Sequence, residues 1–298
     1  MAGLKDIKRR IRSVNNTKKI TYAMKLVSAA KLRRAQESVH AARQYTDSLN
    51  ELVKNVLQAS DGEELTHPLM EDRESVARVR ILVVGGSRGL CGAYNTNVNK
   101  RLSSAIRELR QRYSNAEIDT YVLGKKPREH VVREKIPHVR ILEDLSEDAL
   151  SWPIEEIARN LEDAFLSGEV DRVYLLFIQF RSAMSQSPVL EQILPLRADT
   201  LGVQDSSSEQ QLQSLMIFEP SPEKVFEAIV PRILRTRIQQ AGLDAKASEH
   251  GSRMVAMDSA TKNAGELSRQ LTLKHNKLRQ GAITAELLDI IGGAEAIR

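Results

Sequence analysis

Gly85, Ser87 and Gly89 form a Gly-x-Ser-x-Gly pattern directly after a short apolar run. In serine hydrolases this pattern makes a strained turn that lifts the serine hydroxyl above the end of a strand. A hydrolase also needs a second oxyanion donor from an earlier strand loop, but a helical pattern precedes the run and no HGGG-like segment is present. Ser87 is therefore an alternative candidate nucleophile, and the simpler hypothesis is that the glycines let a strand and a helix pack closely.

The wider segment GGSRGLCG, residues 85–92, could also cradle a phosphate group. However, Ser87 and Leu90 stand where a dinucleotide-binding loop needs glycine, and the Gly-Lys-Ser/Thr ending of a P-loop is absent. Cys91 is the single cysteine, and the six histidines show neither HxxxH nor HExxH spacing. The sequence therefore predicts no cofactor, no metal ion and no catalytic residue in this chain.

The beginning of the chain is strongly basic. Residues 1–34 hold eleven lysines and arginines and one acid, Asp6, within a chain of formal net charge +5. Such a face needs an anionic partner. Nucleic acid is one alternative through phosphate contacts, but Tyr22 and Tyr45 are the only aromatic residues of this basic helix, and no RNA-recognition or zinc-finger signature accompanies them.

Strand-like and helical patterns alternate in the middle of the chain, between Arg78 and Leu215. The strand-like runs are 79–84, 117–124 and 172–180, and the helical ones are 95–113, 126–135 and 154–168. This alternation predicts an α/β domain with a mainly parallel sheet. The polar segments 61–74 and 205–214 are expected to connect this domain to the rest of the chain.

Two long helical segments lie on either side of this domain in the sequence. Residues 4–61 contain neither glycine nor proline, and residues 232–291 contain isolated glycines and no proline. Unbroken, the first helix would reach about 87 Å. A compact chain of this length would be about 50 Å across, so the first helix is expected to protrude.

The second long segment carries its own start and interruption signals. Ser221 is a candidate N-cap, and Pro222 suits the first helical position. Pro231 removes a backbone donor, and Gly242 and Gly251 each weaken a helix by about 1 kcal/mol relative to alanine. The opening stretch is therefore expected to end or kink at Pro231, and Gly242 and Gly251 allow further kinks.

Each long segment has an apolar stripe with steps of mostly three and four residues. The first stripe comprises Leu4, Ile7, Ile11, Val14, Ile20, Met24, Val27, Leu32, Ala35, Val39, Ala42, Leu49, Val53 and Val56. The second comprises Ile229, Ile233, Met254, Met257, Ala264, Leu267, Leu271, Leu278, Leu287 and Ile291. The phase drifts, so an irregular coiled coil is expected. Small residues such as Ala29, Ala42 and Gly265 would let the helices approach closely.

The predicted fold class is α/β plus a long antiparallel coiled coil, in which the N- and C-terminal helices pair around each other. The predicted domains are an N-terminal coiled-coil helix at 1–60, a Rossmann-like α/β domain at 75–215 and a C-terminal coiled-coil helix at 221–298.

Three stretches, in order along the whole chain, carry a family resemblance. They are VNNTKKITYAMKLVSAAKLRRAQ (14–36), RGLCGAYNTNV (88–98) and ITAELLDIIGGAEA (283–296). The chain resembles the gamma subunits of rotary, proton-translocating ATP synthases. Two positions depart from the pattern of that family, which commonly has an acid at Ser87 and a lysine at Tyr22.

The resemblance implies a central rotary shaft that does no bond chemistry itself. It couples proton-driven rotation of the membrane rotor to ATP synthesis or hydrolysis, by forcing the catalytic sites of an alpha/beta ring through different conformations. The implied partners are the alpha and beta subunits of the ring, an epsilon subunit and the c-ring rotor of the membrane, without nucleic acid and without direct membrane insertion.

The resemblance also assigns candidate contacts with the ring. These are Lys18, Lys19, Met24, Lys25, Arg33, Arg34, Arg253, Gln280, Thr284 and Glu286. The basic members of this set would meet acids of the beta subunit. The alternative for each of them is a side chain on the coiled coil that is simply solvated by water. An exposed ion pair contributes only about 0 to 1 kcal/mol to stability or binding.

The start MAGLKDIKRR has no apolar signal region, and no segment approaches the length of a membrane span. The chloroplast members of the family carry paired regulatory cysteines, whereas Cys91 stands alone here. The expected location is the cytoplasmic face of a bacterial plasma membrane, with the chain attached peripherally through other subunits.

Overall fold

The computed structural model describes residues 2–59, 65–197 and 218–296. The contacts group the chain into two compact units. Unit 1 comprises residues 1–30 and 253–298, and unit 2 comprises residues 31–252. The predicted connection 205–214 and the first four residues of segment 61–74 lie outside the described residues.

Five α-helices and five strands follow one another within the described residues. The helices are α1 (Ala2–Ala59), α2 (Tyr94–Arg112), α3 (Lys125–Arg133), α4 (Ile154–Leu166) and α5 (Pro222–Ala296), and the strands are β1 (Arg78–Val84), β2 (Glu117–Leu123), β3 (His138–Leu142), β4 (Arg172–Phe180) and β5 (Gln186–Leu194). Pro68–Met70 and Ala149–Ser151 are short 3-10 helices. The predicted strands and helices of the central domain are confirmed, with ends shifted by at most two residues.

The strands of unit 2 form one sheet in the order β3-β2-β1-β4-β5. The first four strands are parallel, and β5 pairs antiparallel with β4. Ile81 at the middle of β1 lies opposite Thr120 of β2 and Tyr174 of β4. The predicted mainly parallel sheet is thus confirmed, with one antiparallel edge.

The two central strands are apolar along nearly their whole length because both of their faces are covered. Val79, Ile81 and Val83 of β1 pack with Val98 and Leu102 of α2 in one buried cluster. The alternate residues of the same strand are equally buried, on the opposite face of the sheet. α4 contacts the sheet through β4 and buries six apolar residues, which are Ile154, Ile157, Ala158, Leu161, Ala164 and Phe165.

Two of the five strands were missed by the sequence patterns, and each lies at an edge of the sheet. β3 has only five residues, and its first two side chains are exposed, so its apolar signal is weak. β5 contains Pro188, which cannot donate to a ladder and normally argues against a strand. An edge strand tolerates a proline, because one of its sides has no neighbouring strand.

α5 continues without a break through Pro231, so the predicted interruption there is wrong. The apolar residues on both sides, Ile229, Val230, Ile233 and Leu234, are buried. Their packing outweighs the roughly 3 kcal/mol that an internal proline costs a helix. The predicted start is confirmed, because the Lys224 backbone N–H donates to the Ser221 hydroxyl at 3.4 Å.

None of the helices within the described ranges has an apolar stretch long enough to cross a membrane.

Candidate functional site

The two long helices meet in unit 1 along a seam that is more regular than predicted. On α1 the buried and half-buried positions lie three and four residues apart from Leu4 to Val14, and the same spacing resumes at Thr21, Lys25 and Ser28. Thr21 and Ser28 are buried, whereas Ile20 and Val27 are 60% and 57% exposed. The predicted drift is therefore wrong, because polar side chains occupy this part of the seam and the apolar ones face outward.

Side-chain contacts across this seam fix the direction of the two helices. Asn15 accepts a hydrogen bond from Ser268 at 2.8 Å, and the hydroxyls of Thr21 and Thr261 lie 2.8 Å apart. As residue numbers rise on α1 they fall on α5, which confirms the predicted antiparallel pairing within unit 1. A β-carbon added at Gly265 would lie 3.4 Å from Nζ of Lys18, which is ordinary van der Waals contact with the end of a long side chain.

An ion pair lies in the polar part of the seam. Lys25 Nζ donates to Asp258 at 2.6 Å, and Lys262 contacts the same carboxylate at 2.8 Å. The hydrogen bond from Lys25, followed by that from Lys262, lowers the pKa of Asp258 to about 2. Lys25, predicted to contact the ring, is thus also engaged within the shaft.

The ion pair between Lys25 and Asp258 should make the stability of the chain depend on pH in the acid range. Because the folded pKa of Asp258 lies below its ordinary value of 3.8, its stabilising effect is complete above pH 3.8 and disappears as the pH falls toward 2. We expect NMR of the Asp258 carboxyl carbon to titrate near pH 2. The value should rise toward 3.8 in Lys25→Met and rise less in Lys262→Met. Titration near 3.8 in all three proteins would contradict the pairing.

The predicted ring-contact residues of unit 1 lie at separate levels of the shaft. Met24 is half-buried beside the Lys25 pair, and Arg253 is buried. Gln280 lies 27 residues further along α5, which corresponds to about 40 Å of helix. Lys18, Lys19, Gln280, Thr284 and Glu286 are exposed, and the Thr284 hydroxyl donates to the Gln280 carbonyl at 3.0 Å.

Two further predicted contact residues, Arg33 and Arg34, belong to unit 2. Both are exposed, and Arg33 pairs with Glu37 one helical turn away at 3.4 Å. Within unit 1 the predicted contact residues are spread along the two helices and do not share one pocket.

Exposed apolar side chains are the feature of unit 1 that sequence patterns missed. On α1 they are Ile20, Tyr22, Leu26 and Val27, and on α5 they are Leu267, Leu273, Leu278, Ile283, Leu287, Leu288, Ile290 and Ile291. The predicted placement of Leu267, Leu278, Leu287 and Ile291 in the seam is therefore wrong. By the register of the seam, α1 begins level with about residue 281 of α5, so the last turns of α5 extend beyond it. The signal that could have found this is the greater length of the second segment.

In unit 2 the glycines after β1 shape a tight junction. Gly85 N donates to the Leu123 carbonyl at 2.9 Å, and a β-carbon added at Gly124 would lie 2.5 Å from the Gly85 carbonyl oxygen. The Ser87 hydroxyl donates to the Glu143 carbonyl at 3.3 Å and accepts from the Lys125 N–H at 3.4 Å. Backbone groups, and not a side-chain base, thus hold this hydroxyl. The arrangement favours the packing hypothesis over the nucleophile.

A helix occupies the place where an α/β sheet would bind a ligand. Ligands of such sheets sit at the carboxyl ends of the strands, where the strand order reverses, which is between β1 and β4 here. All residues of α5 from 241 to 250 are buried. The Ser248 hydroxyl donates to the Ile178 carbonyl at 3.1 Å, and a β-carbon added at Gly86 would meet the Glu249 carboxyl at 3.4 Å. The chain thus fills this crevice with its own helix.

The glycines of α5 serve this packing. A β-carbon added at Gly242 would lie 3.0 Å from the ring of Trp152, and one at Gly251 would lie 3.0 Å from Nε2 of Gln186. The helix is continuous through both positions. Here glycine permits close approach of the sheet domain to the helix.

α1 and α5 also contact each other within unit 2. Arg43 of α1 lies 3.6 Å from the Asp244 carboxylate of α5 and donates to the Phe180 carbonyl at 3.1 Å. Burial raises the pKa of Asp244, although Gln240 and Arg43 act in the opposite direction. The paired helices are therefore held at the end of β4 by a polar contact between the half-exposed Arg43 and the buried Asp244.

Comparisons with known proteins agree with this architecture. The family model described as ATP synthase matches residues 3–297. The ATP synthase gamma chain of Geobacter metallireducens is 42% identical, and that of Desulforamulus reducens is 40% identical, with full coverage of both chains in each case.

Solved structures share the fold. A chain from the rotor of the Euglena gracilis mitochondrial ATP synthase superimposes with a TM-score of 0.63 at 17% identity, covering 95% of this chain and 99% of that one. A chain from the central stalk and c-ring structure of the Tetrahymena thermophila mitochondrial enzyme gives 0.55 at 20% identity, covering 81% and 99%. With the full-length relatives above, the conclusion is that this chain belongs to the gamma chain family of the ATP synthases.

Proposed function

We propose that this chain is the central rotary shaft of an ATP synthase. It couples proton-driven rotation of a membrane rotor to ATP synthesis or hydrolysis in a ring of alpha and beta subunits. The observation that carries the proposal is the antiparallel helix pair of unit 1, whose seam is closed by its own contacts while apolar and basic side chains face outward. A helix pair with such an outer surface is built to be surrounded by other chains.

The outer surface differs from side to side, which is what a rotary shaft requires. α1 presents Ile20, Leu26 and Val27 at 51–60% exposure, and the exposed Lys18 and Lys19 lie within one turn of Ile20. As such a shaft turns, each catalytic site meets a different surface in sequence. The conformational equilibrium of that catalytic site then shifts by the difference between the contact free energies of its conformations.

The end of α5 suits an apolar sleeve formed by the ring. Ile283, Leu287, Leu288, Ile290 and Ile291 are 49–69% exposed. Apolar contact is non-directional, so it holds the tip without fixing its rotational angle. The predicted contacts at Gln280, Thr284 and Glu286 lie on the same stretch and would add polar contacts with the rim of that sleeve.

The contacts predicted around Met24 complete the proposed interface. Lys18, Lys19 and Lys25 would face acids of the beta subunit, together with Arg33 and Arg34 of unit 2. Exposed pairs contribute only about 0 to 1 kcal/mol each, and one charge crossing 100 mV supplies about 2.3 kcal/mol. Several ion steps and many weak contacts therefore contribute to each nucleotide event.

The chain supplies no catalytic group in this proposal. The crevice of its sheet is filled by α5, and the Ser87 hydroxyl is held by backbone groups. An epsilon subunit and the c-ring are the proposed partners outside the ring. The proposed location is the cytoplasmic face of a bacterial plasma membrane, in keeping with the bacterial relatives.

Co-expression with the alpha and beta subunits of a bacterial ATP synthase tests the assignment. We expect one copy of this chain to copurify with three copies of each ring subunit. The complex should restore ATP-driven proton pumping to membrane vesicles that retain their membrane sector. A ring that assembles and pumps equally well without the chain would contradict the proposal.

A further inference from the structure

The carboxylate of Glu147 joins three parts of unit 2. It accepts a hydrogen bond from Lys31 Nζ of α1 at 3.0 Å and lies 3.4 Å from His250 Nε2 of α5. Arg88, in the glycine-rich loop after β1, lies 3.8 Å away. Lys31 is the first α1 residue of unit 2, and His250 stands two residues before its end at Ser252. One side chain thus bridges both long helices where their unit 2 segments end.

We propose that Glu147 is a positioning residue that ties α1 and α5 to the sheet of unit 2, so that torque applied to the sheet reaches both helices together. This inference rests on the proposed function. It assigns a mechanical role to a loop residue that lies outside the predicted ring contacts and outside the coiled-coil seam.

The two helices need this tie to different degrees. α5 is enclosed at this level, since Ser248 is bound to the Ile178 carbonyl and the Ser252 hydroxyl donates to Gln186 at 2.7 Å. α1 buries Leu32 at this level, while the side chain of Lys31 is 35% exposed and that of Arg33 is 84% exposed. Lys31 makes the polar contact of α1 with the sheet domain here, so we expect the charged tie to matter more for α1 than for α5.

The positive charges around Glu147 keep its carboxylate ionised and strengthen its contacts. Burial would raise the pKa of Glu147, but the hydrogen bond from Lys31 and the charges of Lys246 and His250 outweigh burial, so the pKa lies below its ordinary value. The His250 side chain is only 4% exposed. Removing the carboxylate would leave these cationic and polar groups without their shared partner, which costs more than losing an exposed ion pair.

Hydrogen exchange of the full chain tests the local part of the inference. In Glu147→Ala we expect the amides of α1 and α5 around Lys31 and His250 to exchange about tenfold faster. The matched control is Glu143→Ala, which removes a carboxylate of the same loop with similar exposure that pairs with Arg128 of α3, at 3.1 Å, and with neither long helix. That control should stay within about twofold of the wild type. Equal exchange in both variants would overturn the tie.

Angular measurements on the assembled enzyme test the mechanical part. A probe is attached through Met184→Cys, at a side chain that is 84% exposed, while the native Cys91 is buried. With the ring fixed to a surface, we expect the angular spread of the probe during pauses to widen at least about 1.5-fold in Glu147→Ala. The ATP hydrolysis rate per complex should be unchanged, which separates a mechanical role from general destabilisation.

Two companion variants locate the effect. Lys31→Met removes the α1 partner alone and should widen the spread nearly as much, whereas Arg88→Met removes the more distant, exposed partner and should not. An unchanged spread in Glu147→Ala, in a preparation whose unmodified shaft rotates, overturns this inference and leaves the proposed function standing. An unmodified shaft that does not rotate overturns the proposed function itself.

Discussion

Gly124→Ala is expected to lower the free energy of unfolding of the chain by about 3–5 kcal/mol. Gly124 has a φ of +106°, a backbone conformation that side-chain-bearing residues rarely adopt. Its added β-carbon would lie 2.5 Å from the carbonyl oxygen and 3.0 Å from the carbonyl carbon of Gly85. These are backbone atoms at the junction of β1, β2 and α3, so relief requires separating the strands from the helix. Urea denaturation of the full chain measures the loss.

Gly89→Ala, in the glycine-rich loop that follows β1, is the control. A β-carbon added at Gly89 meets no atom within 4 Å. We expect a change of less than about 0.5 kcal/mol. If Gly124→Ala changed the free energy of unfolding as little as this control, the close packing inferred between Gly124 and Gly85 would be wrong. The glycine pattern would then need an explanation other than packing.

Gly242→Leu is expected to lower the free energy of unfolding by about 2–3 kcal/mol. The added β-carbon would lie 3.0 and 3.1 Å from two ring atoms of Trp152. The ring cannot simply move, because its Nε1 donates to the Ser146 carbonyl at 2.8 Å and Gln239 donates to the Ala149 carbonyl at 2.9 Å. Trp152 is the single tryptophan, so a red shift of its fluorescence reports displacement of the ring toward water.

The control for this substitution is Gly281→Leu in the same helix. No atom lies within 4 Å of a β-carbon added at Gly281. Removing a glycine from an exposed helix interior should stabilise the helix by up to about 1 kcal/mol. A stabilising Gly242→Leu, with unshifted tryptophan fluorescence, would show that α5 does not pack closely against Trp152.

Much of the fold follows from local patterns in the sequence. The central strands and helices of unit 2 are predicted because apolar runs and helical periodicity are strong where both faces of a sheet are covered. β3 and β5 escape prediction because edge strands have a weaker signal and β5 contains Pro188. The packing partners of Gly242 and Gly251 could not be predicted, since a sequence cannot show which side chain another part of the chain will bring against a glycine.

Which side chains of α1 face outward could not be predicted from the sequence either. Patterns that count apolar residues place Ile20 and Val27 in the seam, whereas the polar Thr21 and Ser28 are buried there. In this part of the seam Thr21 contacts Thr261 and Lys25 pairs with Asp258, partners that lie 240 and 233 residues away. Pairings at that separation need three-dimensional information. The family resemblance identifies candidate contact residues, but the structure adds that Lys25 is already engaged within the chain.

The most direct test of the shaft is rotation of the complete complex during ATP hydrolysis. The ring would be fixed to a surface and the probe attached through Met184→Cys in unit 2. We expect unidirectional steps of the probe, with three sets of pauses in each turn, one for each catalytic site of the ring. A probe that stays still while ATP is hydrolysed at the full rate would contradict it.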